Sequence, residues 1–417
     1  MTASPALLRA AFLCAFASAV STLFSIAVSQ TLLALALASL LMSGARLRLP
    51  PIWLPLALFM AATALSLALS EQPSAGRPQI RKFFVYLILL VIFSTFQQLA
   101  SVRWLVLWWA AVGALAAAWG LLQFLRKLQA ARPPGLSFYA YYVADRITGP
   151  MSHWMTFSGL LMIALVMLAA FLLFSPSARK AFLWLGLLCA ALLCLALLLS
   201  LTRSTWLASA VAALYLLWFW KRRLLLLVPL LLVVLLWLGP ASVRTRFLSG
   251  FHPQKELDSN QHRIICWRTG WQIVRAHPWF GLGPEMIKTK FLDYVPQDIR
   301  HNLPAGWYGH LHNIYIHYAA ERGLPALLAL LWLLAKILRD FARAIRRLPP
   351  GPSDQKFILH GALAVLLAVM VAGVFELNLG DSEVLAMFLA VVACGYLAAE
   401  PYLVNVHAYA PGGQQRT

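Results

Sequence analysis

The chain has 417 residues, of which 61% are hydrophobic and 12% charged, where a soluble domain carries about 25% charged residues; its mean hydropathy is +0.76. That balance excludes a soluble enzyme. The formal charge of +20, from 34 Lys plus Arg against 14 Asp plus Glu, is then a matter of membrane topology and anionic ligands, with no call on nucleic acid as a partner.

Runs such as 181–200 and 224–238 are apolar on every face, which fits helices and not barrel strands, whose polarity alternates with period two. Apolar windows long enough for a membrane helix occupy 6–24, 26–44, 51–69, 83–99, 104–125, 155–174, 181–200, 204–220, 224–240, 324–339, 357–376 and 384–399. They predict an all-α integral membrane protein, a single polytopic domain over 1–417 with about twelve transmembrane helices. The first window lacks a charged leader and a cleavage signal, so it reads as a retained helix. With the N-terminus inside, the even-numbered connections collect Arg46, Arg48, Arg103, Arg179, Lys180, Lys221, Arg222, Arg223, Lys336, Arg339, Arg343, Arg346, Arg347 and Lys356, as the positive-inside rule requires. A reporter at Arg222 is expected inside and one at Lys255 outside.

Two outer connections are long, 126–154 and especially 241–322 between the ninth and tenth spans, and loops of that length are seldom idle. In the second, Asn260 is placed to cap a helix reaching about Ala276, with Trp267, Trp271 and Val274 along one side and Pro278 ending it. Gly281, Leu282, Gly283 and Pro284 read as a turn that stops the helix, not as a phosphate cradle. Residues 312–322 read as helix running into the next span, so 241–322 is expected to form a helical cap. Of five cysteines, only Cys266 falls outside the apolar spans, and no disulfide framework or metal-binding CxxC is present.

The outer connections hold Arg77, Arg81, Lys82, Arg146, Arg203, Arg263, Arg268 and Arg275. Solvated surface or headgroup contact accounts for most of these, because long translocated loops escape the charge bias. Arg203 differs: in Leu201–Trp206 it is wedged between two apolar spans, where an unpaired guanidinium is expensive, so it needs a ligand phosphate or a carboxylate such as Glu376 or Asp381. His310, His312 and His317 precede the tenth span. Their spacing does not suit zinc, whereas a neutral imidazole is suited to take a proton near pH 7. The chain has no DxD, Walker loop, GxSxG or GxGxxG, so no cofactor or metal is expected, and an activated substrate would arrive already carrying its leaving group.

The segments Arg263–Pro284 (R-x3-W-x3-W, then HPWFGLGP), His312–Gly323 (HNIYIHYAAERG) and Thr202–Trp206 (TRSTW) together resemble the O-antigen ligase family of the O-antigen ligase and polymerase superfamily. The resemblance spans the whole twelve-helix plan. It implies a metal-independent glycosyltransferase of the bacterial inner membrane, its active site facing the periplasm, that moves a finished glycan from undecaprenyl diphosphate to lipid A-core oligosaccharide. By resemblance His312 is the catalytic histidine, and Arg203, Arg263 and Arg146 bind the diphosphate. Arg77, Arg81, His310, Asn313 and Glu321 are accessory candidates, Glu321 as a structural partner for an arginine. His310 and His317 flank His312, and the choice among the three imidazoles stays open in the sequence. A polysaccharide polymerase or a protein O-oligosaccharyltransferase would use the same donor; the short stretch after the last span and the modest 126–154 loop favour the ligase. A lipid-linked glycan transporter is the reading from another class, but internal repeats and broken helices are missing.

Overall fold

In the computed structural model the described residues are 4–130, 135, 137–179, 183–249, 259–300, 303 and 306–403; Lys180 and Lys255 lie outside them. The described residues form helices and connections without strands. In chain order the helices are α1 (Pro5–Ser21), α2 (Ile26–Met42), α3 (Trp53–Ala68), α4 (Pro73–Arg81), α5 (Phe83–Thr95), α6 (Leu99–Gln129), α7 (Phe138–Ala144), α8 (Trp154–Phe174), α9 (Leu183–Leu199), α10 (Arg203–Lys221), α11 (Val228–Leu238), α12 (Ala241–Leu248), α13 (Ser259–Ala276), α14 (Ile287–Lys290), α15 (Ile314–Arg346), α16 (Asp354–Gly373) and α17 (Ser382–Leu403).

Among the described residues, each of the twelve apolar windows overlaps a helix. Among the described residues, five helical stretches are both long and apolar enough to cross a bilayer: Pro73–Thr95, Leu99–Gln129, Trp154–Phe174, Asp354–Gly373 and Ser382–Leu403; Pro5–Ser21, Ile26–Met42, Trp53–Ala68 and Leu183–Leu199 are apolar but shorter. The window at 224–240 is split, because a 3-10 turn at Arg222–Leu227 precedes the eleven-residue α11.

Helices that are apolar all round must bury every face in protein or lipid, and the bundle sorts them accordingly. α8, α16 and α17 are the most buried and pack on one another. Trp109, Phe171, Phe341, Phe357 and Tyr396 fill the centre, and the Trp109 indole N–H donates to the Ala19 carbonyl at 2.9 Å, so its polar atom is satisfied. α9 and α11 turn Trp184, Leu185, Leu230 and Trp237 outward, the surface a bilayer would cover.

Alternate connections meet at opposite ends of the bundle. At one end Arg48 reaches Glu400, Arg103 reaches Asp354 and Ser177, and the Ser353 amide donates to Phe174 O. At the other end, the connections α3–α5, α6–α8, α9–α10, α11–α15 and α16–α17 converge on one cavity.

The segment between α11 and α15 builds a second, smaller core from Cys266, Ile273, Met286, Phe291 and Leu311. The buried stripe of α13 runs through Cys266, Gly270 and Ile273, and Trp271 is exposed, so it leaves the apolar side that the Trp-rich spacing suggests. Gly270 decides this: a Cβ there would come within 2.6 Å of Ile316 and Leu311 side-chain atoms. Asn260, the expected cap, lies inside α13, which already includes Ser259.

α15 is two helical pieces joined at Gly323, whose φ of 82° departs from helix, with Pro325 following. The 278–283 turn docks against this break. Leu324 N–H donates to Pro278 O at 2.8 Å, Leu282 N–H to Ala320 O at 2.9 Å and Gly283 N–H to Glu321 O at 2.8 Å. A Cβ on Gly323 would sit 2.0 Å from the Trp279 carbonyl, and one on Gly281 (φ 66°) 2.4 Å from the Glu321 carbonyl; only glycine fits either place. The amides of Leu282 and Gly283 are thereby used up on α15, in keeping with a turn that stops a helix and does not cradle phosphate.

Candidate active site

The cavity at the convergent end has a volume of about 950 Å³, within the usual range for a ligand pocket. Arg146, Arg203, Arg263, His310, His312, His317 and Glu321 all line it, and so do Lys82, Arg246, His262, Glu376 and Asp381.

Arg203 is the first residue of α10. Its Nη2 donates to Asn260 Oδ1 at 2.7 Å and its Nη1 to Ser249 Oγ at 3.5 Å, so the residue expected to cap α13 holds the guanidinium. Just before it, Leu201 has φ 51°. That left-handed conformation turns the Leu201 carbonyl toward two guanidiniums at once: Arg146 Nη1 donates to it at 3.3 Å and Arg246 Nε at 3.1 Å. The remaining guanidinium hydrogens, the usual carriers of bidentate phosphate contacts, belong to groups that are themselves 8% and 3% exposed. Arg146 also lies over the Trp154 ring, 4.9 Å from its centroid. Burial and then the neighbouring Arg246 lower the Arg146 guanidinium to about 9, still charged at neutral pH.

His312 is held by backbone, ring and neighbours together. It has φ 47°; its N–H donates to His310 Nδ1 at 3.2 Å, and its carbonyl accepts from Trp267 Nε1 at 3.3 Å. Its own Nδ1 lies 3.3 Å from Glu376 Oε2, whose partner oxygen Oε1 accepts from Arg263 Nη2 at 2.5 Å. Arg263 Nε donates in addition to Phe375 O at 3.1 Å. Glu376 follows the end of α16 at Gly373. Burial works against its ionisation, but the charge of Arg263 and the contact with His312 outweigh burial and hold the carboxyl at about 2.

The three imidazoles separate in the fold. His310 packs on His312 with ring centroids 4.0 Å apart, and burial, with the neighbouring His312 and His317, lowers it to about 2; it stays neutral and accepts a backbone hydrogen. His317 Nε2 lies 3.2 Å from Glu321 Oε2 inside α15. Glu321, expected beside an arginine, accepts the Glu285 N–H on Oε1 at 2.7 Å and the Ser66 hydroxyl on its carbonyl at 2.9 Å, which is the work of an anchor. Asn313 is the N-cap of α15, its Oδ1 accepting from the amides of Tyr315 and Ile316 at 2.9 Å each and its Nδ2 donating to Val374 O at 2.9 Å. Arg77 and Arg81 are exposed on α4, outside the cavity lining, while Lys82 next to them donates to Gly380 O at 2.6 Å. Arg268 pairs with Asp298 at the surface and Arg275 stands over Trp271.

The non-glycine residues with positive φ among the described residues are Leu201, Glu285 and His312. Glu285 and His312 line the cavity and Leu201 immediately precedes the lining residues Thr202 and Arg203. Such conformations cost about 1–3 kcal/mol each and persist where the surroundings over-determine them.

A family model described as O-antigen ligase matches residues 188–331. That match spans about a third of the chain and supports membership of the O-antigen ligase and polymerase superfamily. The matched stretch contains Arg203, Arg246, Arg263, His310, His312 and Glu321; Arg146 and Glu376 lie beyond it. No curated protein matches the chain. The match supports a membrane glycosyltransferase-type enzyme of the kind that handles lipid-linked glycan.

Sequence reasoning assigned no role to Arg246, His262 or His153, and it weighed Glu376 only as a partner for Arg203. A signal for Glu376 existed, since a carboxylate ending an apolar run is rare and functional by default. Nothing in the sequence tells which of the distant arginines and histidines it meets.

Proposed function

We propose that the protein transfers a preassembled O-antigen glycan from undecaprenyl diphosphate to a hydroxyl of lipid A-core oligosaccharide, at the periplasmic face of a bacterial inner membrane. The observation that carries this reading is the pairing, in one cavity, of an imidazole backed by a carboxylate with the guanidiniums of Arg146, Arg203 and Arg263.

Displacement of a diphosphate from an anomeric carbon needs a base for the incoming hydroxyl and fixed positive charge on the departing oxygens. Nε2 of His312 takes the hydroxyl proton, the acceptor oxygen forms its bond to the anomeric carbon, and the bond from that carbon to the diphosphate oxygen breaks with its electron pair. The arginines hold the resulting diphosphate bidentately, the charge stabilisation that Mg²⁺ supplies in other enzymes. Attack is direct, so the anomeric configuration inverts. The polyprenyl tail stays in lipid. Twelve crossings with the 241–322 cap outside would bring the cavity to the periplasm and the Arg48 and Arg103 end to the cytoplasm; reporters at Arg222 and Lys255 should read cytoplasmic and periplasmic respectively.

The test is transfer by purified protein in vesicles with lipid-linked glycan and core acceptor. His312→Ala should bind donor and fail to transfer, EDTA should leave the rate unchanged, and the product should carry inverted configuration. Retained configuration or near-normal transfer by His312→Ala would defeat the mechanism. Donor consumption without a second compartment separates a transferase from a transporter. A strain lacking the gene should lose capped long chains and accumulate lipid-linked polymer; accumulation of single repeat units would favour a polymerase, and loss of glycoprotein a protein-glycosylating enzyme.

A further inference from the structure

Glu376 belongs to none of the motifs read from the sequence and lies outside residues 188–331, yet its side chain divides between the two halves of the reaction proposed above. Oε1 takes Arg263 Nη2 at 2.5 Å and Oε2 faces His312 Nδ1 at 3.3 Å. The residue is 4% exposed, and its neighbour Phe375 uses the main-chain carbonyl to fix the same guanidinium through Nε. An ionised carboxylate accepts hydrogen bonds and donates none. The ring hydrogen of neutral His312 therefore sits on Nδ1, and the lone pair of Nε2 is left for a substrate hydroxyl.

We propose that Glu376 is the positioning residue of the site: it fixes the His312 tautomer and ring direction, and at the same time sets Arg263 at a constant distance from the base. This rests on the reading of His312 as general base. When the hydroxyl proton arrives on Nε2, the carboxylate stabilises the imidazolium that forms and keeps its own charge, in the way a buried carboxylate serves a catalytic histidine elsewhere. Because the same carboxylate holds Arg263, a shift of one group relative to the other is resisted by both contacts. Base and leaving-group clamp are held as one rigid piece, although they come from α13, the loop before α15 and the loop after α16.

The variants Glu376→Gln and Glu376→Asp test this in the vesicle transfer assay, with kcat, acceptor KM and the acid limb of the pH profile measured for each. The charged and titratable groups that face the pair are His262 and Arg263 on α13, His310 in the same loop, Arg146 and His153 from the segment before α8, and Asp381 beyond Glu376. All are retained in both variants. A nearby carboxylate favours the protonated imidazole, so Glu376→Gln should move the acid limb to lower pH and lower kcat by more than about tenfold, with acceptor KM little changed. Glu376→Asp keeps the charge and shortens the reach: its acid limb should stay at the wild-type pH, with kcat between the two. A fall in kcat with the limb unmoved in Glu376→Gln would reduce Glu376 to a structural ion pair. Full kcat in Glu376→Asp would overturn the positioning role, whether or not the glutamine variant folds. An inert His312→Ala alongside a wild-type-like Glu376→Gln sinks this proposal alone, whereas an active His312→Ala sinks the catalytic reading beneath it.

Discussion

At the end of the bundle opposite the cavity, Arg48 pairs with Glu400 at 2.5 Å and Arg103 with Asp354 at 3.1 Å, all four side chains partly in solvent, while Arg339, Arg343 and Arg346 stand exposed along the last turns of α15. At the cavity end, Arg146 and Arg246 are almost wholly buried and share one carbonyl, and Arg263 shares a carboxylate with an imidazole. The residue type is the same and the consequence opposite. Pairs that solvent reaches are worth about 0–1 kcal/mol. Buried guanidiniums are tolerated only where other groups are arranged around them, and that arrangement also fixes their position. Arginine number says where the chain is basic; shared acceptors and burial say which arginines the fold holds in place.

The widest difference should appear when charge is kept and shape is lost. Arg203→Lys and Arg263→Lys retain a cation but cannot make a two-pronged contact, and loss of a charge-assisted hydrogen bond costs about 1.5–3 kcal/mol, so transfer should fall by about 10- to 100-fold in each. Full activity in either would remove that arginine from the site. Comparable in size but different in kind is Gly323→Ala. Its Cβ would meet the Trp279 carbonyl at 2.0 Å in a backbone with φ 82°, so the 278–283 turn should come off α15. A lowered thermal midpoint and faster proteolysis within 259–300 are the expected outcome, and wild-type behaviour would mean that the docked turn does not matter.

A smaller effect should appear in the pH dependence of stability. The Glu376 carboxyl is held at about 2 against an ordinary 4.5, so its contribution is complete above about pH 4.5 and is lost as pH falls toward 2. Asp381 acts in the reverse sense. Burial raises it from 3.8 to about 6, against the hydrogen bond from Thr156, so the native state prefers its proton and loses stability as pH rises through that interval. Thermal midpoints of the wild type should therefore drop below pH 4.5, and those of Glu376→Gln should drop less; identical acid profiles would sink the assignment. The smallest effects belong to the exposed cations. Replacing Arg343, Arg346 and Arg347 together with Gln should leave turnover nearly intact, since this stripe lies where anionic headgroups would meet it. Arg77→Gln with Arg81→Gln should weaken donor or acceptor capture modestly and leave kcat alone. A loss from the α15 triple as large as that from Arg203→Lys would abolish the contrast between the two ends.

Helix positions were legible because the apolar windows are long and continuous, and apolar length is a local property that needs no knowledge of neighbours. The turn at 281–284 was legible for the same reason, since glycine acts within a few residues; the helix entering the tenth span was expected from 312 and starts at Ile314, because Asn313 caps it and His312 stays outside. Of the site, His312, Arg203, Arg263 and Arg146 were reached through residue type and family resemblance, and the fold brings all four to one cavity. Arg77 and Arg81 were drawn in by charge alone, and the exposed face of α4 leaves them outside the lining.

Composition, hydropathy and the alternation of basic connections are sums over neighbouring residues, so the sequence by itself determined a helical bundle with two chemically different ends. Which acceptor each cation meets was decided only in three dimensions. The separation of His312 from Glu376 is 64 positions and that of Arg146 from Leu201 is 55, and such distances are closed by packing α15 against α16 and α9 against α8 and α6. The left-handed turns at Leu201 and His312 follow from the same cause. Local preference does not select φ near 50° for leucine and only makes it less costly for histidine; the contacts on either side of each residue impose it, and through it they aim one carbonyl at two guanidiniums and one imidazole at a carboxylate.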